Sequence, residues 1–101
     1  MSRLDHVALA VGDATRRTVL QRLAQGPATA GQLAALSATS RPAVSRHLRV
    51  LREAGLVRAT PSGRHLWYEA EAAPLDELET WLHDLRKRVA DAPTLIPRGT
   101  K

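Results

Sequence analysis

Four arginines are concentrated in one stretch of eighteen residues, Ser40 to Val57, which reads SRPAVSRHLRVLREAGLV. A guanidinium group is a permanent cation that binds phosphate oxygens, and it also pairs with the acceptor atoms of guanine through two parallel hydrogen bonds. The same stretch has apolar residues at helical spacing, namely Val44, Leu48 and Leu51. We therefore predict a helix with two surfaces, an apolar one that packs in the core and a basic one that binds a polyanion.

The distribution of charge along the chain supports a polyanion as the partner. The 101 residues carry a net charge of +5, but residues 41–64 alone carry +5 and residues 65–85 carry −6. Residues 1–40 contribute +2 and residues 86–101 contribute +4. A small domain with so uneven a charge is more typical of a nucleic-acid-binding surface than of a solvated basic face.

The composition argues against several other classes of protein. Without cysteine the chain has no disulfides, thiolate metal ligands or thiol nucleophiles. It has no glycine-rich phosphate loop or nucleophile elbow, and Ser45 and His47, two residues apart on a helix, face different directions. We predict neither enzymatic activity nor a cofactor. No apolar run approaches the length of about 18 residues that a membrane span requires, and we find no signal peptide, so we expect a cytoplasmic protein without a membrane partner.

The pattern of apolar residues, caps and turn residues predicts one domain over residues 1–90 and a disordered tail over residues 91–101. Asp13 and Ser40 are good helix N-caps, and Gly55 is suited to end a helix. In the first three helices we expect Leu4, Val7, Ala8, Val11, Val19, Leu20, Leu23, Ala24, Leu33 and Leu36 to point inward. The predicted elements are helices over 2–11, 13–25, 29–36 and 40–53, strands over 56–60 and 65–69, and a helix over 74–89.

This order of elements is mainly α with a small β-hairpin, α-α-α-α-β-β-α. A short helix and a turn that lead into a second helix form a helix-turn-helix, and a hairpin after it is a wing. The linker of the helix-turn-helix is SATS at residues 37–40, and the wing tip is PSGR at residues 61–64. The fold class that we predict is the winged helix-turn-helix.

Several motifs in this order resemble the ArsR/SmtB-like winged helix-turn-helix transcriptional repressors. They are DATRR at residues 13–17, SRPAVSRHL at residues 40–48, LREAGLV at residues 51–57, and GR before a WY strand at residues 63–68. The resemblance covers residues 9–82. It implies a homodimer that binds a palindromic operator in double-stranded DNA, with residues 40–53 as the recognition helix.

The resemblance also implies dimerisation through the first and last helices. The last helix has an apolar face longer than the small core requires, although such a face could also simply cover the core of its own chain. The dimerisation residues that we predict are Leu4, Val7, Leu78, Trp81, Leu82 and Leu85.

The first turns of a recognition helix generally reach the bases, and later residues meet the backbone. We therefore expect Arg41 and Ser45 to read bases and Pro42 to touch a thymine methyl group, while Arg52 has no assigned role. We expect contacts with the DNA backbone from the Arg46 and Arg49 guanidiniums and from the hydroxyl or N–H groups of Thr39 and Ser40. On the wing, we expect Arg64 and His65 to reach the backbone or the minor groove.

His47 lies at the edge of the apolar stripe and admits several interpretations. It could be a metal ligand or a pH switch, but a residue at this place is more often a packing residue or a donor to phosphate. We include His47 among the DNA-binding residues on that basis.

Many relatives of this kind sense metal through cysteines near the short helix, where this chain has GQLAALSATS and no ligand. Others use Asp and His pairs on the last helix, and here Glu79 and His83 form one i, i+4 pair beside Asp76 and Asp84. Because zinc requires three or four ligands with His or Cys prominent, we predict no metal site and leave the effector unassigned. A repressor with a ligand or metal site at its dimer interface and a winged helix that binds an acidic protein remain as alternatives.

Overall fold

The computed structural model describes residues 1–36 and 39–96, and all of its helices and strands lie within residues 1–90. Part of the predicted linker (residues 37 and 38) and of the predicted tail (residues 97–101) lies outside the described residues. Residues 91–96 are exposed and follow the last helix without a helix or strand of their own. The elements are α1 (Arg3–Val11), α2 (Ala14–Leu23), β1 (Ala28–Thr29), α3 (Ala30–Leu36), α4 (Arg41–Glu53), β2 (Val57–Ser62), β3 (His65–Ala70) and α5 (Ala73–Ala90).

Side-chain caps start the helices where the sequence predicts them. The Asp13 carboxylate accepts a hydrogen bond from the Arg16 amide at 3.1 Å, and the Ser40 hydroxyl accepts one from the Ala43 amide at 3.2 Å. Ser2 and Asp5 form a reciprocal capping box at the start of α1. Each cap satisfies an amide that has no partner within its own helix, which fixes where the helix begins.

The core is made of aliphatic side chains from every layer of the fold. Val44, Leu48 and Leu51 of α4 are buried, which confirms the predicted apolar stripe. Burial of a side chain of this size is worth roughly 1.5–3 kcal/mol relative to its exposure. The largest fully buried side chains are Leu33, Leu48, Leu51, Leu56, Val7, Val19, Val44 and Pro74.

Three inward positions were predicted wrongly. In α1 the fully buried alanine is Ala10 and not Ala8, because Val7 and Ala10 are the pair that faces the helices packed against α1. Ala24, the C-cap of α2, is exposed. Leu36 is 50% exposed because it is the last residue of α3, beyond the part of the helix that packs on the core.

The β structure is a three-stranded sheet and not a hairpin alone. β1 pairs antiparallel with β3, which pairs antiparallel with β2, so the strand order is β1-β3-β2. Two residues are too few for an alternating pattern, and the prediction therefore missed β1. Strand β2 continues through Pro61 to Ser62, so the turn is tighter than predicted, and Gly63 at its tip has a φ of +62°.

The last helix is attached to the domain mainly through its first half. Pro74 is buried and Leu78 packs against the core, whereas Trp81 and Leu82 are 45% and 49% exposed. Val7 of α1, which we predicted to be a dimerisation residue, is fully buried within its own chain. It is therefore a core residue and is not accessible to a partner. Among the described helices, none is both long enough and apolar enough to cross a membrane.

Candidate DNA-binding interface

Helix α4 has the two surfaces that its sequence predicts. The buried stripe fixes its rotation about the helix axis, so the opposite side faces outward. Gly55, with a φ of +74°, ends the helix and turns the chain towards β2. The exposed residues of this outward side are Arg41, Pro42, Ser45, Arg46, Arg49 and Arg52.

A groove separates the first turns of α4 from the hairpin. It brings Arg41 and Ser45 of the helix together with Arg64 and His65 of the wing, although the two pairs are about twenty residues apart in sequence. The sequence predicted all four as DNA-binding residues. The groove is lined by Thr29, Ala30, Gly31, Arg41, Ser45, Arg64, His65, Leu66 and Tyr68.

Five lining residues of the groove were not predicted: Leu66 and Tyr68 of β3, and residues 29–31 at the end of β1 and the start of α3. Side chains alternate along a strand, so Leu66 and Tyr68 share one face of β3. Trp67 contributes to a different depression, with Pro27 and Glu69. The alternation in HLWYEA was the available signal, but the sequence alone did not indicate which face of β3 is turned towards α4.

The basic residues of the groove and of the outward side of α4 have no acidic partner. Within residues 1–36 and 39–96, no ion pair or side-chain hydrogen bond involves Arg41, Arg46, Arg49 or Arg64. The same holds for Arg52. These side chains are therefore cations without a counterion from the described part of the protein.

Other arginines in the same domain do have acidic partners. Arg58 on β2 contacts Glu69 at 3.6 Å and Glu71 at 3.2 Å, and Arg3 contacts Glu77 at 3.5 Å. Three of the six acidic residues of segment 65–85 thus pair with arginines outside the groove. The contrast leaves the positive charge concentrated on α4 and at the wing tip.

Arg41 lies directly over the start of α3. A Cβ atom built on Gly31 would be 3.6 Å from its Nη1 atom, which is ordinary van der Waals contact. An alanine at position 31 would therefore touch the guanidinium without displacing it. The contact shows that Arg41 lies close to the first turn of α3.

The backbone contacts predicted for the turn before α4 have other partners in the structure. The Ser40 hydroxyl caps α4, and the Thr39 amide donates to the Ala34 carbonyl of α3 at 3.2 Å. On the wing, the His65 and Trp67 rings meet edge to face, with centroids 6.1 Å apart. His65 therefore lines the groove while its ring contacts Trp67.

His47 is directed towards α2 and away from the outward side of α4. Its Nδ1 atom lies 3.2 Å from Nη1 of Arg16 and 3.9 Å from the Asp13 carboxylate, and its side chain is 22% exposed. The hydrogen bond from the Arg16 amide, followed by the positive charge of Arg16, holds the pKa of Asp13 below its ordinary value of 3.8.

Arg16 also binds the end of α1, a role that the sequence did not reveal. Its Nε atom donates to the Ala10 carbonyl at 2.9 Å, and its Nη2 atom donates to the Leu9 carbonyl at 2.8 Å. Arg17 donates to the Val11 carbonyl at 2.9 Å. Among the described residues the Ala10 and Val11 carbonyls have no other partner, and the Leu9 carbonyl also accepts a hydrogen bond from the Gly12 amide at 3.3 Å. The two arginines therefore cap the C-terminal end of α1.

The exposed side of α5 carries three of the predicted dimerisation residues, Trp81, Leu82 and Leu85, whereas Leu78 is half-buried against the core. Leu75, Trp81, Leu82 and Leu85 are each between 36% and 49% exposed. Glu79 and His83 lie on this helix in a shallow apolar depression that Arg86 also lines. In the described part of the chain, no three His, Cys, Asp or Glu residues lie close enough to hold a metal ion.

Comparisons with known proteins give consistent results. The family model described as "Bacterial regulatory protein, arsR family" matches residues 13–59. The chain is 43% identical over 76 residues to the HTH-type transcriptional regulator Rv2034 of Mycobacterium tuberculosis, covering 75% of this chain and 71% of that protein. It is 30% identical over 79 residues to the transcriptional repressor SdpR of Bacillus subtilis, covering 78% and 88%.

Solved structures show the same architecture. An ArsR family transcriptional regulator superposes with a TM-score of 0.81 at 31% identity, covering 90% of this chain and 94% of the other. A homodimeric winged helix-turn-helix DNA-binding domain from Mycobacterium bovis, only 20% identical, has a TM-score of 0.68 with coverages of 94% and 88%. These likenesses confirm the predicted fold class.

Proposed function

Because the chain belongs to the ArsR family and is a transcriptional regulator with a winged helix-turn-helix DNA-binding domain, we propose that it is a dimeric repressor that binds a palindromic operator. The regulators named above are not enzymes, in agreement with the prediction that this chain is not one. The single observation that carries the proposal is the groove in which unpaired Arg41, Ser45 and Arg64 converge.

In the proposed complex, α4 lies in the major groove and the wing follows the DNA backbone. Arg41 and Ser45 reach base edges, and Pro42 packs against a thymine methyl group. Arg46, Arg49 and Arg64 bind phosphates, as does the Ser40 amide at the start of α4, while His65 supports the wing contact. A bidentate contact between arginine and guanine is worth about 1–3 kcal/mol of discrimination.

The proposed dimer forms through α5 together with Leu4 of α1. Its support is the exposed apolar side of α5, which contains Trp81, Leu82 and Leu85 and lies beside the half-buried Leu78, since contiguous exposed apolar surface usually marks an interface. Analytical ultracentrifugation of Trp81→Glu should show monomers where the wild type shows dimers. Arg58→Ala, which changes a strand of the hairpin and not the exposed apolar side of α5, should remain dimeric. A dimeric Trp81→Glu variant would contradict this interface.

The proposed repressor does not sense metal through the sites used by cysteine-containing relatives. Its support is the chemistry of the available side chains: the chain lacks cysteine, and α5 offers Glu79 with a single histidine, His83. Added Zn(II) should leave the affinity for DNA unchanged, and dialysed protein should retain no metal. A change in affinity with Zn(II) would favour the alternative of a metal-responsive site at the dimer interface.

The proposal of sequence-specific binding is tested with fluorescence anisotropy. The wild type is first used to select duplexes from a randomised 30-base-pair library, and the selected duplex is compared with a scrambled one at several salt concentrations. We expect at least a hundredfold preference for the selected duplex, since specific sites are typically 10³–10⁷ times tighter than non-specific DNA. Equal affinity for both duplexes would overturn the repressor proposal.

A matched pair of wing variants sharpens this test. Arg64→Ala should weaken binding because it removes an unpaired cation at the wing tip, whereas Arg58→Ala should have little effect because that arginine is already neutralised by Glu69 and Glu71. If the winged helix instead binds an acidic protein, the wild type and both variants should show no measurable preference among DNA sequences.

A further inference from the structure

His47 is the one residue of the predicted DNA-binding set that lies on the α2 side of the recognition helix. Successive residues of a helix are about 100° apart, so His47 is roughly 160° away from Ser45 around the axis of α4. Its Nδ1 atom is already engaged, 3.2 Å from Nη1 of Arg16. A donor to phosphate would have to face the opposite way.

The chemistry of this contact fixes the roles of its two partners. A guanidinium has donors and no acceptor, so Arg16 donates and the Nδ1 atom of His47 accepts. The neutral ring then carries its proton on Nε2. The Asp13 carboxylate lies 3.9 Å from the same nitrogen and accepts a hydrogen bond from the Arg16 amide. Asp13, Arg16 and His47 therefore form one cluster between α2 and α4.

The other donors of Arg16 connect this cluster to α1. Its Nε and Nη2 atoms hold the Ala10 and Leu9 carbonyls at 2.9 Å and 2.8 Å. One planar guanidinium therefore contacts both the end of α1 and the middle of α4. Since α1 also packs against α5, the contact lies between the proposed dimer helices and the recognition helix.

We propose that Arg16 and His47 form a tether that sets the position of α4 for DNA, with His47 a positioning residue and not a phosphate contact. The inference rests on the proposed DNA-binding function of α4. The buried stripe sets how deeply α4 packs, and the tether resists its rotation about that stripe. A small rotation would move Arg41 and Ser45 away from base edges, because they lie on the opposite flank.

The test compares variants at His47 and Arg16 on the selected and the scrambled duplex. His47→Ala should weaken binding to the selected duplex about tenfold, the equivalent of one lost hydrogen bond to a charged group, and should leave the salt slope unchanged. His47→Asn should restore most of the affinity because its side-chain oxygen occupies a position close to that of Nδ1. If His47→Ala only destabilised the fold, the affinity for the selected duplex and the affinity for the scrambled duplex would fall by the same factor.

A double-mutant cycle separates the tether from a direct contact with DNA. Arg16→Gln should reduce affinity, and adding His47→Ala to it should cause little further loss, because the two residues act through one contact. Arg17→Gln, which removes a cap from the same end of α1 without reaching α4, is the matched control and should bind like the wild type. Additive losses in the cycle would overturn the tether.

An NMR measurement tests the contact without DNA. The nitrogen shifts of the His47 ring should show a proton on Nε2 and none on Nδ1 at neutral pH, and Arg16→Gln should abolish this preference. Protonated Nδ1 in the wild type would overturn the inference. If the wild type selects no DNA sequence at all, the proposed function fails, whereas normal selection with an unaffected His47→Ala variant defeats the tether alone.

Discussion

Helices α2 and α4 are both rich in arginine, but their arginines do different work. Arg16, Arg17 and Arg22 of α2 donate to backbone carbonyls at 2.8–3.0 Å, at the end of α1 or at the turn after α2. The arginines of α4 contact no such group among the described residues. The comparison teaches that the number of arginines on a helix says little about its function until their partners are known.

Free cations on α4 are consistent with a partner outside the chain. Even a surface arginine that forms an ion pair stabilises the fold by only about 0–1 kcal/mol. The stability of the fold therefore does not explain why the unpaired arginines of α4 are present. On DNA each such arginine would displace a condensed counterion, which is the main source of affinity for polyanions. Four predictions test this difference between the helices, from the largest expected effect to the smallest.

The largest expected effect is on stability and concerns α2. Arg16→Gln should lower the free energy of unfolding by about 2–4 kcal/mol, because charged hydrogen bonds to the Leu9 and Ala10 carbonyls are lost. Arg49→Gln, the matched change on α4, should alter it by no more than about 0.5 kcal/mol. Urea denaturation followed by circular dichroism measures both. Equal losses would remove the distinction between the two helices.

The second prediction concerns sequence preference. Arg41→Ala should cost about 1–3 kcal/mol of discrimination at one base-pair position, because the arginine in the groove is the proposed base reader. Repeated selection from the randomised library shows whether that position relaxes. Weaker binding to every sequence alike would mean that Arg41 holds a phosphate and that another residue reads the base.

The third prediction concerns the salt dependence. Arg46→Ala should weaken all sequences to a similar extent and make the slope of log affinity against log salt shallower by about one unit. Arg17→Gln, whose guanidinium is held by the Val11 carbonyl, should leave the slope as in the wild type. An unchanged slope for Arg46→Ala would exclude it as a phosphate contact.

The part of this account that concerns α4 could be predicted from sequence, because a stripe at helical spacing determines which residues face outward. The partners of Arg16 and Arg17 could not, since the α1 carbonyls reach them only through the packing of α1 on α2. Strand β1 was missed for a related reason: two residues become a strand only when β3 lies beside them. The groove itself depends on which face of β3 is turned to α4, and this is a property of the fold.

The smallest expected effect concerns pH. The cap that starts α2 holds the pKa of Asp13 below its ordinary value of 3.8, so ionised Asp13 stabilises the folded state above that pH. This contribution should disappear as the pH falls through the lowered pKa, because the protonated side chain is a poorer acceptor. Asp13→Asn keeps a good cap but does not titrate there.

The free energy of unfolding of both proteins, measured between pH 2.5 and pH 7, isolates the contribution of Asp13. The wild type should lose more stability on acidification than Asp13→Asn, which still contains Asp5 and the other carboxylates. Parallel curves would show that the cap is not sensitive to the charge of Asp13.

The most direct test of the difference between α2 and α4 is an NMR titration that observes the arginine Nε–H groups while the selected duplex is added. We predict that signals of Arg41, Arg46, Arg49 and Arg64 shift on binding, whereas those of Arg17 and Arg22 remain in place because their guanidiniums are held by carbonyls within the protein. Shifts confined to α2, with α4 unaffected, would contradict the assignment of α4 as the DNA-binding helix.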